Sequence, residues 1–309
     1  MKNQLLSVIL GFIVPFTAAL AGETLYVAKT ASAPTVDGVP ESVWEGAQEI
    51  VIPLTKIPQG VIDANIQQQK GKYAKKWKKT NYTQITELRL KAVYDGERIF
   101  FLAHWKDDSK DDQHKPWKWE GDQASGEYLS GKEREDRLSL MFPISGAFDP
   151  NKLSGNEMVA DVWQWKAART NSVGLIHDKS HVISKAKPTG KSAAHYTSAG
   201  EIIYVARPGD GPSPYKSNKI DPFTYQGDLL PKYIPTRPDD NDATDVSAKG
   251  VWADNGWTLE IGRNLDTGHK ASDTRFDPSK GSSMAAAVFN HVGDHFHAVS
   301  DVIQVVFDQ

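Results

Sequence analysis

Residues 87–105 read ELRLKAVY, DGE, RIFFLAHW: Glu87–Tyr94, the linker Asp95-Gly96-Glu97, then Arg98–Trp105. Two runs rich in β-branched and aromatic residues flank Asp-Gly, a dipeptide that accommodates the positive φ angles of a tight hairpin turn. Leu88, Leu90 and Ala92 alternate with Arg89, Lys91 and Val93, so one face of the hairpin is buried. The same grammar recurs outward in both directions. Strand-like runs occupy Glu49–Leu54, Arg137–Pro143, Val159–Trp165, Gly250–Ala253, Trp257–Gly262, Ala285–Phe289 and Val302–Phe307. Ala253-Asp254-Asn255-Gly256-Trp257 is a second hairpin signal. Many short strands between turns, with no convincing helix-period segment, indicate an all-β fold of sandwich or barrel type. Lys106–Gly131 and Ser184–Asp245 read as long loop insertions, and loops of that length in a compact domain are usually functional.

The N-terminus has its own reading. Lys2 precedes an apolar run, Leu5–Leu20, that ends in Ala19-Leu20-Ala21. A short positive region, an apolar stretch and a small-x-small site make a secretory signal. Pro15 interrupts the run, which is shorter than the roughly 20 apolar residues of a bilayer span. Residues 1–21 are therefore expected to be a cleaved signal peptide. Residues 22–309 are expected to form one domain, in the periplasm, with no integral membrane span and a first strand near Thr24–Ala28.

The net charge is −3 and cysteine is absent. The mild negative charge argues against nucleic acid as a partner. Without cysteine there is no disulfide, no thiolate zinc site and no iron–sulfur cluster. The C-x-x-C-H attachment signal for covalent haem is also missing. Lys70, Lys72, Lys75, Lys76, Lys78 and Lys79 crowd around Tyr73 and Trp77. That basic stretch is either a solvated insertion or a docking patch for an acidic partner.

Several segments, in order, carry a resemblance. They are Val36-Asp37-Gly38 with Trp44, the Leu88–Trp105 hairpin, Glu135–Pro143 (EDRLSLMFP), Asp161–Arg169 (DVWQWKAAR), Gly250–Glu260, and Arg263–Gly268 (RNLDTG). The series resembles the haem-binding γ-subunits of the ethylbenzene dehydrogenase, dimethylsulfide dehydrogenase, selenate reductase and chlorate reductase group, the type II DMSO reductase family. The resemblance covers most of residues 34–307. It implies a β-sandwich of the DOMON and family-9 carbohydrate-binding-module type. It further implies one non-covalent haem b and an electron-transfer subunit without catalytic chemistry of its own. The implied partners are a molybdopterin catalytic subunit, an iron–sulfur subunit and a soluble c-type cytochrome.

A low-spin haem without covalent attachment needs two axial side-chain ligands. The resemblance implies a Met–Lys pair. Met141 lies in the matching segment, and if Leu138 and Leu140 face the core, Met141 faces outward. Its competing reading is a gap-filling core residue. Lys232, in the apolar island Leu229-Leu230-Pro231-Lys232-Tyr233-Ile234-Pro235, fits the family's spacing. Lys166, at the end of the Trp163-Gln164-Trp165 strand, is the runner-up. Either lysine would have to be held neutral by a dry setting. Trp163 is a candidate wall of the haem slot. His291, His295 and His297 cluster near the C-terminus, and His177 and His181 flank Asp178; each set is read as polar loop residues or as donors to a ligand. The rival reading is a carbohydrate-binding module or other haem-free ligand-binding sandwich with exposed Trp and Tyr platforms. A hydrolase ranks last, because no serine elbow and no paired-carboxylate motif rises above background.

Overall fold

In the computed structural model the described residues are 22–77, 85–293 and 297–308. Residues 1–21, Lys78, Lys79 and His295 lie outside them.

The opening hairpin forms as its alternation dictates. Glu87–Tyr94 and Arg98–Lys106 pair antiparallel, with Ala92 opposite Phe101, and Gly96 turns at φ +102°. Leu88, Leu90 and Ala92 are sealed from solvent. Val93 points the other way, into a small cluster with Trp44 and Phe100. Arg98–Lys106 also pairs with Gly256–Asn264, which pairs in turn with Ser247–Ala253. Asp254 and Asn255 both take positive φ to close that second hairpin. Thr24–Lys29 runs parallel to Glu87–Tyr94 on one side and to Ile303–Phe307 on the other.

The facing sheet is built around Arg137–Gly146, between Met158–Lys166 and Ser282–Phe289. His177–Ser184, Ile202–Ala206 and Ser192–Tyr196 extend it. Ser282–Phe289 is the fork. Its first residues pair with Ile303–Phe307 and its last with Arg137–Gly146. The two sheets part there and close over one core. Leu90, Phe101, Trp105 and Leu259 come from one side, and Leu140, Phe142, Trp163 and Trp165 from the other. Phe101 meets Trp163 edge-on at 5.9 Å, and Trp257 meets Trp165 at 4.9 Å. Such tilted aromatic pairs add about 1 kcal/mol each beyond burial. The molecule is a β-sandwich.

The first element of the family-like series is a latch. Glu260, fully buried on its strand, accepts from the backbone N–H of Gly38 (2.8 Å) and Asp37 (3.1 Å) and from Trp44 Nε1 (2.8 Å). Gly38 sits at φ +85°, and a Cβ there would lie 2.8 Å from Val251 Cγ2. A glycine is required at this position on both counts.

Three features depart from the sequence reading. Lys106–Gly131, read as a loop insertion, contains the antiparallel pair Trp117–Glu120 and Glu127–Ser130. Gln59–Gln68 is an α-helix. Its buried face is short, Val61, Ile62, Ala64 and Asn65, and includes a polar residue, which blurred the period. Asn65 is held there by its side-chain bonds to Val61 O and Tyr196 O. Ser184–Asp245 is also not a bare loop. It contributes Ser192–Tyr196 and Ile202–Ala206 to the sheet. It adds Leu229–Leu230 against Trp117–Glu120, and pairs Tyr215–Ser217 with Tyr233–Pro235. Short strands made of Ala, Ser and His give no apolar alternation to read. Among the described residues no helix is long and apolar enough to cross a membrane.

Candidate functional site

Strand alternation splits Arg137–Gly146 into two faces. Leu138, Leu140 and Phe142 enter the core. Arg137, Ser139 and Met141 face the outside of the sheet and line a cavity of about 710 Å³. The neighbouring strands follow the same rule. Val162 and Gln164 line the cavity while Trp163 and Trp165 face inward. Lys179 and His181 line it from the next strand, and Ala285, Ala287 and Phe289 from the strand on the other side. The alanines leave room that larger side chains would fill. The end of the 59–68 helix, the segment around Pro150 and Lys152, Ser192–Tyr196, Arg207 and His297 enclose the outer side. A smaller space of about 190 Å³ adjoins it and shares Lys152, His195, Arg207 and His297. The volume lies in the range of cofactor and ligand sites.

The chemistry of the lining is one-sided. Lys70, Arg137, Lys152, Lys179 and Arg207 contribute to it, and no carboxylate does among the described lining residues. Burial, aided by the charges of Arg207 and Lys179, pushes the Lys152 amine down to about 7. Burial and then the charge of Lys152 hold His181 well below the usual histidine range. Lys152 Nζ and His181 Nδ1 stand 3.4 Å apart. His297 stacks on Phe289 at 4.3 Å, and His195 meets Trp77 edge-on at 6.1 Å. The cavity thus combines a thioether, the His181 imidazole kept neutral by burial, the rings of His195 and His297, a lysine amine near neutrality, apolar walls and several cations. Thioether, imidazole and neutral amine are the donors that ligate haem iron, and guanidinium and ammonium groups pair with carboxylates. The donor set fits a haem with its two propionates.

Of the four residues put forward as haem-binding, the structure brings only Met141 to this cavity. Of the histidines named from the sequence, His181 and His297 line it as well, whereas His177 meets Lys166 and His291 lines another cavity. Trp163 is fully buried on the inward face, against Phe101, Phe142 and Phe276. Lys166 is buried at the strand end, with Nζ 2.6 Å from His177 Nδ1 and 5.1 Å from the centre of the Tyr215 ring. Burial foremost, then the nearby Lys179 and Arg169, holds that amine well below the lysine range. Lys232 donates to Ser130 Oγ at 2.8 Å, lies over the Trp117 ring, and lines a separate cavity of about 230 Å³. Met141 and Lys232 do not share a site. Lys152, His195 and Arg207 carried no readable signal, since their segments lack strand or helix periodicity. His181 was among the histidines named from the sequence, and as the residue two after Lys179 on its strand it shares the outward face registered beside Val162 and Ala160.

A family model described as "Ethylbenzene dehydrogenase" matches residues 41–300. No curated protein matches the sequence. Among solved structures the chain is similar to a family 9 carbohydrate-binding module from Caldicellulosiruptor kristjanssonii. The glucose complex shows 7% identity over 92% of this chain and 97% of that one, at a TM-score of 0.38. The cellotriose complex shows 8% identity over 93% and 95%, at 0.37.

Proposed function

This chain belongs to the ethylbenzene dehydrogenase family, and on that footing we propose that it is an exported electron-transfer subunit that holds one non-covalent haem b in the Met141 cavity. The observation that carries the reading is the composition of that cavity: Met141 on the sheet side, nitrogen donors around it and, among the described lining residues, five basic side chains without a carboxylate. A bound haem supplies one-electron exchange at a potential set by its axial ligands and surroundings. Met141 is the thioether ligand. Lys152, whose amine burial brings close to neutrality, replaces Lys232 as the candidate second ligand, with His181 beside it. Arg137, Lys179 and Arg207 would offer cations to the propionates, and Ala285 and Ala287 would leave space on the sheet face for the macrocycle. The partners are a molybdopterin catalytic subunit and its iron–sulfur subunit on one side and a soluble c-type cytochrome on the other. The compartment is the periplasm, with residues 1–21 as the export signal.

The reading is tested by titrating the full mature chain with haemin. One equivalent is taken up, with a Soret band that shifts on reduction. A chain that stays colourless with excess haemin contradicts the proposal.

A further inference from the structure

The strands that present the cavity on one face carry a cluster of buried carboxylates on the other. Asp161 lies on the inward face of Met158–Lys166, and Asp178 on the inward face of His177–Ser184. Asp210 follows the Ile202–Ala206 strand, and Asp273 comes from the segment after Gly256–Asn264. Asp178, Asp210 and Asp273 are each at most 6% exposed, and a carboxylate oxygen of each lies within 4.8 Å of the other two.

Each of the three has one oxygen held by the protein. Asp178 Oδ1 accepts from the Lys179 N–H at 2.8 Å. Asp210 Oδ1 accepts from Ser180 Oγ at 3.0 Å. Asp273 Oδ2 accepts from Thr267 Oγ1 at 2.6 Å. The second oxygen of each, Asp178 Oδ2, Asp210 Oδ2 and Asp273 Oδ1, is buried with no hydrogen-bond partner. Both oxygens of neighbouring Asp245 are in the same position. The nearby cation is Arg263, and it is committed: Nη1 lies 2.7 Å from Asp161 Oδ2 and 3.7 Å from Asp273 Oδ2, and Nη2 donates to Thr274 O. That one guanidinium faces four carboxylates, those of Asp161, Asp178, Asp245 and Asp273, and Asp210 adds a fifth to the cluster. Buried carboxylates of like charge with free oxygens carry a large desolvation and repulsion penalty, relieved either by protons or by a cation that joins them.

We propose that Asp178, Asp210 and Asp273 bind a hard divalent cation of the calcium class. Oxygen-only donors select Ca²⁺ or Mg²⁺ over softer metals. Two oxygens sharing a Ca²⁺ at ~2.3–2.6 Å stand at most about 5 Å apart, which the cluster satisfies. The adjacent group of Asp242, Asp245, His269 and Asp273 is not a second site, because His269 Nδ1 pairs with Asp242 Oδ1 at 2.8 Å. The ion ties together three segments distant in sequence, around residues 178, 210 and 273. It braces from behind the strands whose outer face lines the cavity. Its existence does not depend on the haem reading.

The test uses the full chain, without added haemin, stripped by a chelator and titrated with Ca²⁺ by calorimetry. One Ca²⁺ binds per chain, and the melting temperature rises with the logarithm of Ca²⁺ concentration above Kd, by roughly 5 °C or more at a hundredfold excess. Mg²⁺ competes weakly. D210N and D178N lower Ca²⁺ affinity at least tenfold, whereas D277N, at a half-buried carboxylate paired with Lys280 instead, leaves it unchanged. Absence of saturable Ca²⁺ binding to the wild-type chain below about 10 mM, some tenfold beyond the weak end of extracellular calcium sites, overturns the proposal whether or not the variants fold. Equal affinity in wild type and a folded D210N chain overturns it as well. Haemin uptake that survives removal of the ion leaves the haem reading standing alone.

Discussion

Arg263 and Asp161 form an ion pair at 2.7 Å, Nη1 to Oδ2, with both side chains wholly excluded from water. The guanidinium also lies 4.7 Å from the centre of the Trp163 ring, and Asp161 Oδ2 accepts from the Thr274 N–H at 3.0 Å. One arginine therefore fastens the 265–276 segment to the inside of the strand that carries Trp163. It does so directly behind the cavity wall formed by Val162 and Gln164.

Replacing Arg263 with methionine keeps most of the side-chain volume but leaves Asp161 buried without its partner. Breaking a buried pair from one side costs about 3–5 kcal/mol. Urea unfolding of R263M is expected to show a loss of that size. A loss under 1 kcal/mol would mean that the pair contributes nothing net.

Glu260 is the acceptor for Asp37, Gly38 and Trp44. E260A leaves two buried donors unsatisfied, Gly38 N–H and Trp44 Nε1, at about 1–3 kcal/mol each if nothing relaxes, and frees the more exposed Asp37 N–H to water. The expected outcome is earlier proteolytic cleavage and faster amide exchange in residues 34–47, with the rest of the sandwich protected. G38A is expected to reproduce the effect, because its Cβ would press on Val251 at a positive φ. Uniform loss of protection across the chain would contradict the latch.

Asp136 gives a pH dependence. Burial, then the charge of Asp107, pushes its carboxyl up to about 7. Asp107, raised to about 6 chiefly by burial, also faces Asp111, Asp108 and His291. A carboxyl whose folded pKa lies above its unfolded value binds its proton more tightly in the native state. Stability therefore falls as pH rises from about 4 through about 7. D107N removes one raised carboxyl and relieves the other. Between pH 5 and pH 8 the variant is expected to lose on the order of 2 kcal/mol less than wild type. Parallel losses would contradict this coupling.

Met141 presents its thioether to the cavity, and its removal separates ligation from packing. M141L preserves volume and costs under about 1.5 kcal/mol in stability. Haem-loaded M141L is expected to show a lowered reduction potential or weakened haem retention, since a thioether ligand raises the potential. An unchanged spectrum and potential would remove Met141 as a ligand.

The sandwich was legible because its central strands alternate cleanly. Leu88, Leu90 and Ala92, and Leu138, Leu140 and Phe142, declare their faces in one dimension. The outward direction of Met141 followed from the same alternation. The rest of the cavity was not legible, because its outer wall is made by segments without a period. Lys152 comes from a turn-rich stretch, Arg207 from a strand end before Pro208, and His195 from a short strand of small residues. Lys232 had the right spacing along the chain, but spacing does not say which cavity a loop enters. The carboxylates at 178, 210 and 273 lie too far apart in sequence to read as a motif; only the folding of three segments onto one point assembles them.

The most direct test of the haem reading is a cavity-filling variant. Ala287 lines the cavity floor, and A287W places an indole where the porphyrin would lie. Val306 is exposed on another strand, so V306W is the control. Haemin titration followed by the Soret band is expected to give one haem per chain for wild type and V306W. It is expected to give none, or binding weakened at least a hundredfold, for A287W with its melting transition intact. Equal haem uptake by folded A287W would show that haem does not bind in the Met141 cavity.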